Sequence, residues 1–116
     1  MGKLTDLLNL AQARTRELGF PYAGALTPKE AYEVLQLAPG AKLVDVRTRA
    51  EWDWVGRIPG AEEIEWQSYP DNQPNSFFLA QLKQQVDPES LVMFICRSGV
   101  RSRKAAALAS HAGYNG

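Results

Sequence analysis

The sequence lacks most of the features that would assign it to a specialised class of protein. It contains 116 residues and a single cysteine, so an internal disulfide is impossible and no zinc-type cysteine spacing exists. No apolar run approaches the roughly 18 residues that a membrane-spanning helix needs. The N-terminus has no secretory pattern, and we therefore expect a cytoplasmic protein without a membrane partner.

An excess of charge of one sign is also absent. Thirteen lysines and arginines balance thirteen aspartates and glutamates, which gives no reason to expect nucleic acid or an anionic membrane as a partner. Apolar residues make up 45% of the chain and charged residues 22%, as in ordinary globular proteins. The length suits one domain with a hydrophobic core of its own.

An apolar run leads directly into the only cysteine. Residues 91–95 read Leu-Val-Met-Phe-Ile, which is typical of a strand buried on both faces. Alanine-rich residues 102–112 predict a helix that packs close to the sheet. Cys96 therefore lies where a buried strand becomes a helix, and ligands bind at such places in open α/β folds.

The residues after Cys96 favour an anion. Backbone N–H groups at the start of a helix have no intrahelical partners, and Gly99 permits a turn that points them inward. Arg97 and Arg101 add positive charge. Such surroundings lower a thiol pKa from about 8.5 to roughly 3.5–7.5, which makes a nucleophile. Taken alone, the loop leaves open that Cys96 is simply a small apolar residue of the core.

Helices and strands alternate along the rest of the chain. Two capping boxes, Thr27 to Glu30 and Thr48 to Glu51, mark helix starts. The predicted helices are residues 4–18, 28–38, 49–55, 78–86 and 102–112. The predicted strands are residues 25–26, 42–47, 62–66 and 91–95, with a loop at 68–76. This order predicts a three-layer α/β fold, in which helices cover both faces of a mainly parallel central sheet. Residues 1–24 form an amphipathic helix and lead-in, and residues 25–116 form the α/β domain.

A second group of polar residues is expected near Cys96. Asp45 and Arg47 end their own strand, and parallel strands bring their carboxyl ends to one edge of the sheet. A carboxylate there should meet an arginine or loop amides. A purely structural ion pair or helix cap would satisfy the same requirement.

Three motifs together resemble the rhodanese family. They are Leu-Val-Asp-Val-Arg at residues 43–47, Glu-Trp at 51–52 with Gly-Arg-Ile-Pro-Gly-Ala at 56–61, and Cys-Arg-Ser-Gly-Val-Arg-Ser at 96–102. The similarity extends from about Leu26 to Gly116. The resemblance implies a sulfurtransferase in which Cys96 carries sulfur between a donor such as thiosulfate and an acceptor, which is cyanide or a small or protein thiol. It implies no metal and no organic cofactor.

The resemblance also implies roles for the surrounding residues. The substrate-binding loop would be Arg97, Ser98, Gly99, Val100, Arg101 and Ser102. Asp45, Arg47 and Arg57 would support the site, although members of the family commonly have histidine at the position of Arg57. The family's domain continues with one more strand and a helix. We therefore expect an exposed sheet edge, and a natural protein that is longer or covers this edge with another segment.

Two other functions fit the same residues. Phosphatases of this fold have a longer loop, with five residues between cysteine and arginine where this chain has four, so the smaller ring favours sulfur. A rhodanese-like module that carries sulfur or binds a partner without efficient turnover is the other alternative. Trp52, Trp54 and Trp66 would then form a docking surface for an acceptor, or would pack in the core.

Overall fold

The computed structural model describes residues 2–19 and 24–114, which form five helices and five short strands. The helices are α1 (Lys3–Leu18), α2 (Pro28–Leu37), α3 (Arg49–Trp54), α4 (Phe78–Gln85) and α5 (Val100–His111). The strands are β1 (Lys42–Asp45), β2 (Glu62–Glu63), β3 (Gln67–Ser68), β4 (Gln73–Pro74) and β5 (Val92–Ile95). No helix in this described part combines the length and the hydropathy needed to cross a bilayer.

The central sheet has the strand order β2-β1-β5, and both pairings are parallel. Val44 of β1 lies opposite Glu62 on one side and Phe94 on the other. Because the strands are parallel, the carboxyl ends of β1 and β5 meet at one edge of the sheet. The predicted parallel α/β architecture is confirmed.

Helices cover both faces of this sheet, because successive strand residues point to opposite faces. On one face, the core joins strand residues to α4 and α5 through Phe78, Leu82, Ala105 and Ala109. On the other face, Leu43 and Met93 pack with residues of α1 and α2, and Val34 is fully buried there. The expected three layers are therefore present.

Both predicted capping boxes form. The Thr27 hydroxyl accepts the Glu30 N–H at 3.2 Å, and the Glu30 carboxylate accepts the Thr27 N–H at 2.7 Å. Thr48 and Glu51 make the same pair of contacts at 3.2 and 3.0 Å. Each cap satisfies N–H groups that would otherwise have no partner, and a cap of this kind contributes about 1 kcal/mol.

The short strand predicted at residues 25–26 is wrong. The Ala25 N–H donates to the Ala11 carbonyl at 3.2 Å, and the Ala25 carbonyl accepts from Arg14 at 3.2 Å. Helix α1 therefore satisfies these backbone groups, so the segment does not need a partner strand.

Other boundaries differ from the prediction by a few residues. Only Glu62–Glu63 of the third strand is regular, although the N–H groups of Ile64 and Trp66 still donate to the Asp45 and Val46 carbonyls. The loop at residues 68–76 contains most of a small antiparallel hairpin, β3–β4. Helix α5 begins at Val100, two residues before the predicted start.

Among the described residues, β5 pairs with one strand only, β1, and therefore lies at a lateral edge of the sheet. A cavity of about 560 Å³ runs beside β5 between α1 and α5, with Tyr114 at its wall. The expected open edge is thus found within residues 2–19 and 24–114. The expectation of a longer natural protein stays a prediction.

Tyr114 ties the end of α5 to the end of α4. Its side chain is buried, and its hydroxyl donates to the Val86 carbonyl at 2.7 Å. Its backbone N–H donates to the Ala109 carbonyl at 3.0 Å. The Tyr114 hydroxyl is thus a buried polar group in an apolar core, and its hydrogen bond to Val86 satisfies it.

We expect Tyr114→Phe to reduce the free energy of unfolding by about 1–2 kcal/mol, because the Val86 carbonyl loses its buried donor. Urea unfolding followed by circular dichroism measures this loss. Tyr32→Phe is the matched control, since Tyr32 is exposed and its change should stay within about 0.5 kcal/mol. Equal stability of the two variants would show that the buried hydrogen bond contributes nothing.

Candidate active site

The loop between β5 and α5 closes around the sulfur atom of Cys96. Gly99 is the N-cap of α5 and has φ 91°, a left-handed conformation that other residues rarely adopt. This turn directs the Gly99 N–H to Sγ at 3.0 Å, and the Ser102 N–H lies 3.4 Å from the same atom. The predicted anion cradle of backbone amides is therefore present.

The cradle also changes the acidity of the thiol. Partial burial would raise the pKa of Cys96, but hydrogen bonds to Ser102, Gly99 and Ser98 outweigh it and hold the pKa below its ordinary value. The Ser102 hydroxyl is one of these partners, with Oγ 3.5 Å from Sγ. The first turn of α5 adds the partial positive charge of a helix N-terminus. The arrangement stabilises a thiolate, which is the nucleophilic form of cysteine.

Arg101 is held by Glu51, which lies 50 residues away in the sequence. Both guanidinium Nη atoms donate to the Glu51 carboxylate, and the Nη2–Oε2 distance is 3.0 Å. The hydrogen bonds from Arg101, joined by that from the Thr48 N–H, lower the pKa of Glu51 to about 2 despite its partial burial. Glu51 therefore connects the N-cap of α3 to the first turn of α5.

Asp45 and Arg47 form a second ion pair at the end of β1. The Asp45 side chain is fully buried and accepts the Arg47 Nη2 at 2.7 Å and the Arg47 backbone N–H at 3.1 Å. The hydrogen bonds that its guanidinium donates to Asp45 raise the pKa of Arg47. Arg47 also donates to the Gly56 carbonyl at 2.8 Å, which fastens the end of α3. The expectation that Asp45 meets an arginine is confirmed.

Arg57 is paired with acidic side chains of α3 and β2. It pairs with Asp53 at 2.6 Å and with Glu63, and its guanidinium lies 5.9 Å from the Trp52 ring centroid. Its charge is therefore compensated by α3 and β2. No hydrogen bond or ion pair joins Arg57 to residues 96–102 in the described part of the chain, and its support of the site stays a prediction.

The residues of the predicted loop differ in exposure. Arg97, Ser98 and Val100 are exposed, and Gly99 and Ser102 are partly buried. Arg97 has no carboxylate within ion-pair distance among residues 2–19 and 24–114, in contrast to Arg101. The two loop arginines thus differ. Glu51 holds Arg101 and raises its pKa, and Cys96 raises that pKa further. Arg97 has no such ion pair among the described residues and can meet an anion.

A second cavity, of about 280 Å³, adjoins the loop on the side of α3. Its lining includes Glu51, Trp54 and Tyr69 together with Arg97 and Arg101. Of the three tryptophans, only Trp54 is exposed, since Trp52 is buried and Trp66 packs against Phe78.

Two residues of this site carry little signal in the sequence. Glu51 is recognisable as part of a capping box, but nothing in the sequence indicates its pairing with a distant arginine. Tyr69 lies in a segment whose composition predicts only a loop. No group of three His, Cys, Asp or Glu side chains suited to a metal ion occurs in the described part of the chain.

Comparison with known proteins agrees with this fold. The family model described as a rhodanese-like domain matches residues 27–116. Two uncharacterised proteins, an RP600 homologue from Rickettsia rickettsii and RC0915 from Rickettsia conorii, are each 37% identical over 91 residues. Each alignment covers 73% of this chain and 70% of the relative.

A solved structure shares the fold. The crystal structure of Rv0390 from M. tuberculosis is 40% identical and superposes with a TM-score of 0.67. The match covers 80% of this chain and 73% of that one. With the family match over most of its length and these relatives, the chain belongs to the rhodanese-like domain family.

Proposed function

We propose that the protein is a sulfurtransferase that carries sulfane sulfur as a persulfide on Cys96. The observation that supports this most is the convergence of the Gly99 and Ser102 N–H groups on Sγ, at 3.0 and 3.4 Å. Donors fixed in this way stabilise the thiolate, and they remain in place for the charge that develops during transfer. The proposal needs Cys96 to stay reduced, which suits a reducing compartment such as the cytoplasm.

The first half-reaction charges the enzyme. The Cys96 thiolate attacks the outer sulfur of a donor such as thiosulfate, a new bond forms between Sγ and that sulfur, and the donor's S–S bond breaks. The bonding electrons leave with sulfite, so the total charge of three negative units is the same before and after. The loop amides bind the negative sulfur, and no metal or organic cofactor takes part.

The second half-reaction discharges the enzyme. An acceptor, cyanide or a thiolate, attacks the outer sulfur of the persulfide, and Sγ leaves as the thiolate that the cradle stabilises. Since Cys96 is the only cysteine among these 116 residues, the thiol that receives the sulfur lies outside them. Two separate half-reactions through a covalent intermediate lead to ping-pong kinetics.

We expect treatment with thiosulfate to add the mass of one sulfur atom to the protein. Because the chain has one cysteine, intact-mass spectrometry assigns this addition without ambiguity. Cys96→Ser should gain no sulfur and should transfer none to cyanide. The opposite result is a wild type that gains no sulfur but binds the same partner proteins as Cys96→Ser. The domain would then act as a binding module, and the enzyme proposal would be wrong.

We expect the rate of persulfide formation to follow the ionisation of Cys96, rising with pH and levelling off below the ordinary thiol pKa. Ser102→Ala removes one hydrogen bond to sulfur, so the midpoint should move to higher pH. Ultraviolet absorbance of the thiolate measures the titration directly. Ser98→Ala is the matched control, because it keeps the backbone amides and removes a hydroxyl without a bond to Sγ. Identical midpoints in all three proteins would contradict the cradle as the cause.

We expect Glu51→Gln to lower the free energy of unfolding at pH 7 by about 1–3 kcal/mol, because Arg101 loses its compensating charge. The pKa of Glu51 is depressed to about 2 in the folded protein, so its stabilisation is complete above the unfolded value and is lost as pH falls toward 2. Urea unfolding at several pH values should therefore show the two proteins converging in acid. A difference that stays constant down to pH 2 would exclude the ion pair as its source.

A further inference from the structure

An exposed aromatic pair lies beside the second cavity of the Cys96 loop. Trp54 is 76% exposed and Tyr69 is 59% exposed, although their rings contact each other edge to face with centroids 5.8 Å apart. Val55, next to Trp54, is also 76% exposed. Contiguous exposed apolar groups of this kind mark interaction sites.

Arg97 places a free positive charge on the same surface. It lines the 280 Å³ cavity together with Trp54 and Tyr69. Within the described ranges it has no carboxylate partner, whereas Arg101 on the same loop is paired with Glu51. Tryptophan, tyrosine and arginine are the residues that most often dominate binding energy at protein interfaces.

This surface is also continuous with the nucleophile. Arg97 lines both the second cavity and the larger 560 Å³ cavity, which Cys96 also lines. Gln67 and Asn72 also line the second cavity, where the Gln67 amide donates to Asn72 Oδ1 at 3.3 Å. Their remaining amide donors and acceptors can bond a peptide backbone. A chain segment on this surface thus meets amides, aromatic rings and a cation next to the Cys96 loop.

We propose that Trp54, Tyr69 and Arg97 form a docking surface for a protein acceptor of sulfur. The acceptor presents its cysteine on a peptide segment that carries an apolar side chain and a neighbouring carboxylate. The apolar side chain packs on the two rings, and the carboxylate pairs with Arg97. A small thiol has too few atoms to cover both rings, which favours a peptide. The proposal rests on the sulfurtransferase function proposed above.

The transfer step is balanced as follows. The outer sulfur of the Cys96 persulfide, formed as an anion in the charging step, first takes up a proton from solvent water. The acceptor thiolate then attacks this sulfur, and one S–S bond forms as the Cys96 S–S bond breaks. The electron pair of the broken bond stays on Sγ, which leaves as a thiolate. The acceptor becomes a persulfide, with no external oxidant or reductant.

The test uses protein that has been charged with thiosulfate, checked by intact mass and freed of excess donor. Its discharge is followed in single turnovers with a capped leucine-cysteine-glutamate tripeptide and the matched leucine-cysteine-lysine tripeptide. The small thiols 3-mercaptopropionate and 2-mercaptoethanol are the other arms. Binding of an unreactive leucine-serine-glutamate tripeptide, measured by tryptophan fluorescence, reports the surface independently of sulfur transfer.

We expect Arg97→Gln to slow discharge by the acidic peptide roughly fivefold while the basic peptide is unaffected or faster. Trp54→Ala should slow discharge by both peptides roughly tenfold and leave 2-mercaptoethanol unchanged. Arg16→Gln and Tyr32→Ala are matched controls, because both residues are exposed on helices α1 and α2, outside either cavity. Neither control should change any rate.

The possible results separate this proposal from the one it rests on. Loss of serine-peptide binding in Arg97→Gln and Trp54→Ala, together with the expected rates, supports the docking surface. Normal charging with equal rates for both peptides overturns the docking surface alone. A third result is that Arg97→Gln slows discharge by 3-mercaptopropionate while Trp54→Ala leaves both peptide rates unchanged. That result overturns the docking surface in favour of a small anionic acceptor. Failure to charge, with no binding of the serine peptide, overturns both proposals.

Discussion

The parallel pairing of β1 with β5 is the constraint on which the site depends. The two strands are in register from Lys42 with Val92 to Asp45 with Ile95, so β1 and β5 end at the same level of the sheet. The Val46 N–H still donates to the Ile95 carbonyl at 3.0 Å and extends this contact to the start of both loops. Since helices cover the two faces of the sheet, the Cys96 loop forms at the carboxyl ends of the strands.

Backbone N–H groups of Gly99 and Ser102 lie 3.0 and 3.4 Å from the Cys96 sulfur atom, and two arginines at the same end of the sheet are paired with carboxylates. Arg47 is paired with Asp45, and Arg101 is paired with Glu51. These pairs fix the end of β1, the start of α3 and the first turn of α5 relative to one another. The amides that reach Cys96 are thereby preorganised, which is the condition for electrostatic stabilisation of a developing charge.

The helix starts and the buried strand before Cys96 could be predicted from the sequence, because neighbouring residues determine these features. The capping boxes at Thr27 and Thr48, and the apolar run before Cys96, predicted helix starts and a buried strand that the structure confirms. What could not be predicted depends on tertiary contacts. The segment at residues 25–26 has its backbone bonded by α1, and the pairing of Glu51 with Arg101 joins residues 50 positions apart. Neither contact leaves a pattern in neighbouring residues.

The central claim is that the cradle around Cys96 holds transferred sulfur. A crystal structure of the protein after reaction with thiosulfate tests it most directly. The account predicts one additional sulfur atom bonded to Sγ and lying within hydrogen-bond distance of the loop N–H groups, about 3.5 Å. Unmodified Cys96 after this reaction, or an added sulfur that points away from the amides, would contradict it.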